Sequence, residues 1–456
     1  MPYVVNPGGF HTLSTQLPSR LTKAAEAVAT YGPAAFVLCL PLEFTARLFR
    51  QPLSRYVLVV LAASYLYLMV ARRRTPSVPR HLSVLLLLLF LTASLASWAM
   101  TRAPYSINSL LDIALYPVVA LLIANLPLNE ADHRRAWLAF AVSGLVVATV
   151  GFVLYITGLH IWAPNPLVAN RLNITFADPN ITARFLTIAA CVAVLMFSAR
   201  KAPAWLTVGT AIACAVVLPM TWSRSGLVLF VVSTAVAVIF ALNHRRAAAI
   251  GAIALLSFAA STVINPDTRD RAGAAVATVG TAVTGGHVDQ ASAIPGNQDV
   301  SLADNRVYLV RAGWSMFVDH PVSGVGLGGF QHAMLTAYKS FLPPGYTDSV
   351  SHTSLVTLLA EQGLIGVLLF TAFLLALAWE ALGARRRPDR WAFWSTLPAT
   401  LVIPIFLYSQ FEGRFLQEPY LWLALGLYYS ARMLARRDAA LEQAAQGPRA
   451  TAAAAA

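Results

Sequence analysis

Charge is scarce in this chain: 12% of its 456 residues are charged, against 57% hydrophobic. So little charge cannot clothe a soluble globule of this size. Apolar runs of about 20 residues recur instead, the length at which a helix crosses the hydrocarbon layer. Cysteine is scarcer still, and Cys39, Cys191 and Cys214 all fall in apolar runs without metal-ligand spacing. They read as small buried hydrophobes, and no disulfide is implied. No D-x-D and no Walker-type sequence occurs, and the outer carboxylates Asp267, Asp270, Asp304, Asp319 and Asp348 are scattered. A divalent-metal site therefore has little support, and neither cofactor nor nucleotide is expected. A soluble basic domain is missing too, so the net charge of +13 points away from nucleic acid and toward anionic membrane lipid and topology. Residues 1–24 lack the charged, apolar and cleavage regions of a signal peptide, so the first span is expected to remain as an anchor.

What is present is the pattern of an all-α, polytopic membrane protein with about twelve transmembrane helices. The expected spans lie near 28–48, 53–71, 81–100, 108–127, 136–159, 180–198, 203–221, 225–242, 247–264, 352–380, 391–410 and 416–434. Arginine and lysine crowd one set of ends, as at Arg72, Arg80, Arg134, Lys201, Arg245 and Arg385. The opposite short loops carry few, among them Arg47, Arg102, Arg171, Arg224 and Arg414. The basic ends are expected to face the cytoplasm, with both termini there. The chain then divides into residues 1–264 with nine spans, an outer segment 265–351, three spans in 352–434 and a tail 435–456 expected to be disordered.

The outer segment is long enough to be functional in its own right. Within it, Val307, Val310, Trp314 and Phe317 stand at helical spacing, stopped before Pro321 and a glycine-rich turn. A second short helix is expected in GGFQHAMLTAYKSFL, and a mobile connector over 272–300. Gly324, Gly326 and Gly329 spell G-x-G-x-x-G, but a dinucleotide site needs a preceding strand, and here a helix runs into the turn. A tight turn re-aiming the chain toward the membrane is the expectation.

A few polar residues stand where charge is costly. Arg224 occupies a short outer hairpin, where snorkelling and a place in an outward-facing site are both open. Arg184 lies a turn inside a span, where an unpaired arginine costs about 2.5 to 3.5 kcal/mol. Asp178 is its nearest candidate partner, and a structural pair and a functional role remain open. Glu361 falls inside the tenth span, where a structural hydrogen bond ranks ahead of proton handling. His352 stands at the seam between the outer segment and that span, where capping the helix, ordinary loop placement and taking a proton from a hydroxyl are all open. Without a metal, an anionic phosphate or diphosphate at the outer surface must be neutralised by arginines, and Arg224 and Arg306 are suitable in kind.

SRSG at Arg224, DNRVYLVRAGW at Arg306, HPVSGVGLGGF and then SHTSLVTLLAEQGLIGVLLF occur in an order that resembles the O-antigen ligase and polymerase superfamily. FADPN, Phe176 to Asn180, is similar to the family's proline-asparagine signature, while Thr353 stands where the family usually has asparagine. The resemblance implies a GT-C-like membrane glycosyltransferase of the bacterial inner membrane with a periplasmic loop and site. Its donor would be an undecaprenyl-diphosphate-linked glycan and, in the ligase reading, its acceptor a sugar hydroxyl of lipid A-core oligosaccharide. The implied roles are His352 as general base and Arg224 and Arg306 on the diphosphate, with no metal. Arg311, Arg184, Asn180 and Glu361 are secondary candidates. An O-antigen polymerase or protein O-oligosaccharyltransferase shares the donor, and a solute transporter is the alternative of another class.

Overall fold

The computed structural model describes residues 20–72, 75–101, 107–162, 171–266, 268–270, 273, 301–342, 350–387, 389–413 and 415–454. Side chains are described for all of these except 100, 101, 108, 301–306 and 445–454. Among the described residues every regular element is helical. The main helices are α1 (Arg20–Cys39), α2 (Leu53–Ala71), α3 (Leu82–Thr101), α4 (Ile107–Asn125), α5 (Glu130–Thr157), α6 (Pro179–Ser198), α7 (Ala204–Val217), α8 (Arg224–Phe240) and α9 (His244–Ile264). They continue with α10 (Ser301–Asp319), α11 (Phe330–Leu335), α12 (Ser354–Arg385), α13 (Ala392–Glu412) and α14 (Pro419–Ala454). Among the described residues, eight helical segments are long and apolar enough to cross a membrane, or nine if the bent pair Arg20–Cys39 and Glu43–Phe49 counts as one span. The chain is thus a multi-pass, all-helical protein, with fewer segments meeting that criterion than the twelve spans expected.

Burial orders the bundle. Helix α6 is its axis, with every residue of Pro179–Ser198 but Asn180 and Phe197 buried, whereas α2 buries only Leu61 and Leu68. Such a gradient is what a helix apolar all round needs: central ones meet protein, peripheral ones meet lipid. Close approach comes from small residues. At Gly144 of α5 a Cβ would lie 2.5 Å from the Cβ of Ala189 in α6 and 3.2 Å from Thr210 in α7. Three of the helix starts carry these side-chain caps: Asn129 and Asp132 form a capping box on α5, Asp178 accepts from the Asn180 N–H, and Ser223 accepts from the Gly226 N–H.

Several boundaries differ from the sequence reading. The first helix runs through Pro33 but starts at Arg20, then turns by 92° into Glu43–Phe49. The tail expected to be disordered, 435–456, continues α14 as far as Ala454. The tenth span begins at Ser354 and is broken at Gly363, whose φ of 58° and ψ of −154° leave the helical region. The connector expected over 272–300 lies outside the described residues apart from Gly273.

In the outer segment, α10 and α11 are both present, and the residues that signalled α10 by their spacing are mostly not the ones that pack. Tyr308, Leu309, Ala312 and Met316 are buried against Phe330, Met334 and Ala360. Val307, Val310 and Trp314 are 48%, 43% and 58% exposed. Apolar residues occur around most of this helix, so their spacing signals a helix without saying which stripe packs.

At the arginine-rich end of the bundle, the cations are engaged locally. Arg385 donates to the carbonyls of Ile239 and Ala241, Arg134 to that of Lys201, and Lys201 pairs with Glu130 at 2.8 Å.

Candidate functional site

The opposite end of the bundle assembles from two helix starts that touch. Pro179 and Asn180 open α6, and Arg224 opens α8 directly after the cap Ser223. The Ser223 hydroxyl donates to Asn180 Oδ1 at 2.7 Å, and Arg171 Nη2 donates to the same oxygen at 3.2 Å. Arg171 also donates to the carbonyls of Thr221 and Trp222. Asn180 is therefore the joint between the DPN and SRSG stretches, and half-buried Arg224 stands beside it. Aligned helix starts present the positive ends of two backbone dipoles, a setting suited to anions.

Helix α13 is the common neighbour of this joint and of the His352 seam. Its Tyr408 hydroxyl lies 2.6 Å from that of Thr187 and donates to the carbonyls of Ala183 in α6 and Gly226 in α8. Two residues on, Gln410 Oε1 accepts from the Leu355 N–H of α12. At its end, Gly413 has φ 68°, and a Cβ there would sit 2.5 Å from the Ser351 carbonyl oxygen and 3.2 Å from His352 Cα. Only glycine fits that approach. His352 is half-buried and precedes Thr353, which holds the N-cap position of α12, so His352 is not the cap. The Thr353 carbonyl accepts from both the backbone and the hydroxyl of Thr357, at 2.9 and 3.0 Å.

Arg184 is paired, but not to Asp178. It is 1% exposed, with Nη1 2.5 Å from Glu412 and Nη2 2.6 Å from Glu418. Asp178 instead caps its own helix, because its side chain reaches the Asn180 N–H at 2.7 Å. The two glutamates flank the α13–α14 turn that carries Gly413. One buried guanidinium thus anchors the turn on which His352 rests, a constellation missed from the sequence because its members are more than two hundred residues apart.

Glu361 ties the outer segment to the bundle. Its carboxylate accepts from the N–H groups of Gly328 at 2.9 Å and Phe330 at 3.1 Å. Around it the glycine-rich turn and the break in α12 splice backbone to backbone: Val325 and Gly326 donate to the carbonyls of Ala360 and Glu361, and Leu364 donates to that of Pro321. Gly324 and Gly363 both have positive φ, and a Cβ at either would fall within 2.6 Å of the other strand's backbone. The G-x-G-x-x-G stretch is thus one half of a splice, with no phosphate cradle in it. Helix α3 braces the other side, Ser94 donating to Gln362 Oε1 at 2.7 Å and Ser97 to the Glu361 carbonyl.

The remaining sequence candidates lie on α10. Arg311 is exposed on it, away from the packed face. The Arg306 side chain lies outside the described residues, and so does its expected convergence with Arg224. Outside the spans, Tyr338 donates to Asp319 at 2.8 Å, and burial, with the Asp319 carboxylate, pushes its hydroxyl up to about 12. Among the described residues, no three His, Cys, Asp or Glu side chains group closely enough to hold a metal ion.

No curated protein matches the chain. Residues 209–371, just over a third of it, match the family model described as O-antigen ligase. That match contains Arg224, Arg306, the spliced turn, His352 and Glu361. Over residues 209–371 the chain is thus similar to the O-antigen ligase family, a match that supports an O-antigen ligase-type protein of that superfamily.

Proposed function

We propose that the protein is an O-antigen ligase that transfers a glycan from undecaprenyl diphosphate to a sugar hydroxyl of lipid A-core oligosaccharide at the periplasmic face of the inner membrane. The observation that carries this reading is the shared end of the bundle. Through α13, the joint of Arg171, Asn180 and Arg224 and the seam at His352 rest on neighbouring turns of one helix.

In this reading the diphosphate lies against the starts of α6 and α8, where Arg224, with Arg306 from α10, neutralises it. The acceptor hydroxyl oxygen attacks the anomeric carbon, its proton passes to a ring nitrogen of His352, and the bond from that carbon to the diphosphate oxygen breaks. Undecaprenyl diphosphate leaves with the electron pair, and the anomeric centre inverts. The arginines hold charge that grows only as this bond breaks, so each positioned donor is worth about 2.7 to 4 kcal/mol of barrier. Neither metal nor nucleotide takes part in these steps.

A polymerase would use the same donor and differ in its acceptor. Deleting the gene in its host and analysing the lipopolysaccharide separates the two. The ligase reading expects lipid-linked polymer beside unmodified lipid A-core, restored by the wild-type protein and not by His352→Ala. Core bearing a single repeat unit would assign the protein as the polymerase instead.

A further inference from the structure

At the arginine-rich end of the bundle, one arginine is buried without a counter-ion. Arg432 of α14 is 6% exposed, and its Nε has no hydrogen-bond partner. Arg184, the other arginine buried among the described residues, holds two glutamates. Around Arg432 cations prevail: Arg387 and Arg436 stand close enough to act on its charge, against Asp389. Asp389 is exposed, and its carboxylate accepts from the Trp391 N–H at 2.9 Å. The acidic side chains outside the described set, Asp267, Asp289, Asp299, Asp304 and Asp348, all belong to the segment 265–351 and none to the stretches that build this end.

The residues before α3 form the facing wall. Tyr428, Arg432 and Arg436 fall four residues apart on α14, which makes them one stripe of that helix. At one end of the stripe the Tyr428 ring lies 6.5 Å from that of His81, and at the other Arg436 Nη1 donates to the Arg80 carbonyl at 3.0 Å. Arg432 stands between them. Two more buried polar atoms here lack partners, the Tyr428 hydroxyl and His81 Nε2. The carboxylate of this wall, Glu380 of α12, is engaged elsewhere: it accepts from the N–H and hydroxyl of Ser83 at 3.0 and 2.7 Å, and lies 3.4 Å from the other nitrogen of His81.

A buried guanidinium with no carboxylate of its own calls for an anion from outside the chain. Phosphate suits it, because its oxygens can accept from a guanidinium and a phenol at once. Arg387 and Arg436, both exposed, form a cationic rim. Leu82 and Trp379, next in sequence to His81 and Glu380, are 57% and 79% exposed and offer apolar surface on which an acyl chain can lie.

We infer that Arg432 and Tyr428, inside a rim of Arg387 and Arg436, bind a phosphate group, carried by a phospholipid headgroup or free in solution. The site joins the ends of α3, α12 and α14. It makes no use of His352 or of the helix starts at Asn180 and Arg224, so it is independent of the transfer reaction proposed above.

The test uses full-length protein delipidated in a non-ionic detergent, with binding of phosphatidylglycerol followed by native mass spectrometry. Diacylglycerol, which has the chains without the phosphate, and inorganic phosphate are the comparison probes. Phosphatidylglycerol should bind saturably, and diacylglycerol should not compete. Arg432→Gln should weaken binding about ten-fold or more and Tyr428→Phe about five-fold, whereas Arg245→Gln, at an exposed position on α9, should leave it within about two-fold of wild type. Without phosphate, Arg432→Gln should melt no lower than wild type, because it removes an uncompensated charge, and it should gain less in Tm when phosphatidylglycerol is added. Inorganic phosphate that raises the wild-type Tm as much as the lipid does would assign the site to free phosphate; a response to the lipid alone would assign it to a headgroup. Equal phosphatidylglycerol binding in wild type, Arg432→Gln and Tyr428→Phe, or an equal loss in Arg245→Gln, would overturn the site and leave only a diffuse attraction for anionic lipid. Arg432→Gln melting well below wild type without phosphate would overturn it too, giving Arg432 a structural role within the chain.

Discussion

Removing the Arg184 guanidinium is the sharpest perturbation of the site's foundation. Arg184→Met keeps the volume of a long side chain but takes the guanidinium away from Glu412 and Glu418, which are 8% and 4% exposed. Breaking a buried ion pair by deleting one partner costs about 3 to 5 kcal/mol, and two carboxylates on one arginine place this case at the upper end. Glu412→Gln or Glu418→Gln should cost less, because each leaves Arg184 paired with the remaining carboxylate. The triple variant Arg184→Met, Glu412→Gln, Glu418→Gln should recover most of the loss, since a neutral replacement of a whole buried ion set is often tolerated. Equilibrium unfolding in mixed micelles, followed by tryptophan fluorescence, reads all four. Transfer activity should fall in Arg184→Met even where the protein stays folded, because Gly413 on the freed turn packs against His352. An Arg184→Met protein within about 1 kcal/mol of wild type, or a triple variant no more stable than that single one, would refute the reasoning.

Three further outcomes follow from the geometry. Gly363→Ala sets a Cβ 2.6 Å from the Val322 carbonyl at a φ of 58°, so the splice should weaken by about 1 to 3 kcal/mol and residues 301–342 should be cleaved faster in limited proteolysis. Asn180→Leu strips the acceptor from both Ser223 and Arg171, and should raise the donor KM about ten-fold or more while leaving the acceptor KM unchanged. The Tyr338–Asp319 bond belongs to the neutral phenol, whose raised value means its contribution is complete below the ordinary value of 10 and is lost only as pH rises through about 12. Proteolysis of the outer segment should accordingly be flat from about pH 6 to 9 once protease activity is normalised, and Tyr338→Phe should accelerate it throughout.

Hydropathy made the apolar segments legible because a bilayer selects on composition over about 20 residues, which is local information. The motifs at Arg224 and His352 were legible for the same reason, as short ordered strings. Pairings across the chain were not. Asp178 stood six residues from Arg184 and drew attention, yet Glu412 and Glu418 hold it. Gly363 follows Glu361 and Gln362 inside a span, and neither residue announces a break in the backbone; its meaning comes from Gly324, which fits the same backbone contact from the other side. Arg171 had been counted only as a loop charge, and its role at Asn180 emerges when α6 and α8 are placed side by side. The packed face of α10 was hidden because Val307, Val310 and Trp314 are as apolar as the residues that turn inward.

The central claim is that transfer depends on His352 and on the protein's own cations, without a metal. Purified protein reconstituted with undecaprenyl-diphosphate glycan and lipid A-core, in excess chelator and without nucleotide, tests it directly. The account predicts glycan transfer that persists in chelator, disappears in His352→Ala and falls about 100-fold or more in Arg224→Ala. Transfer that requires an added metal, or full activity in His352→Ala, would contradict it.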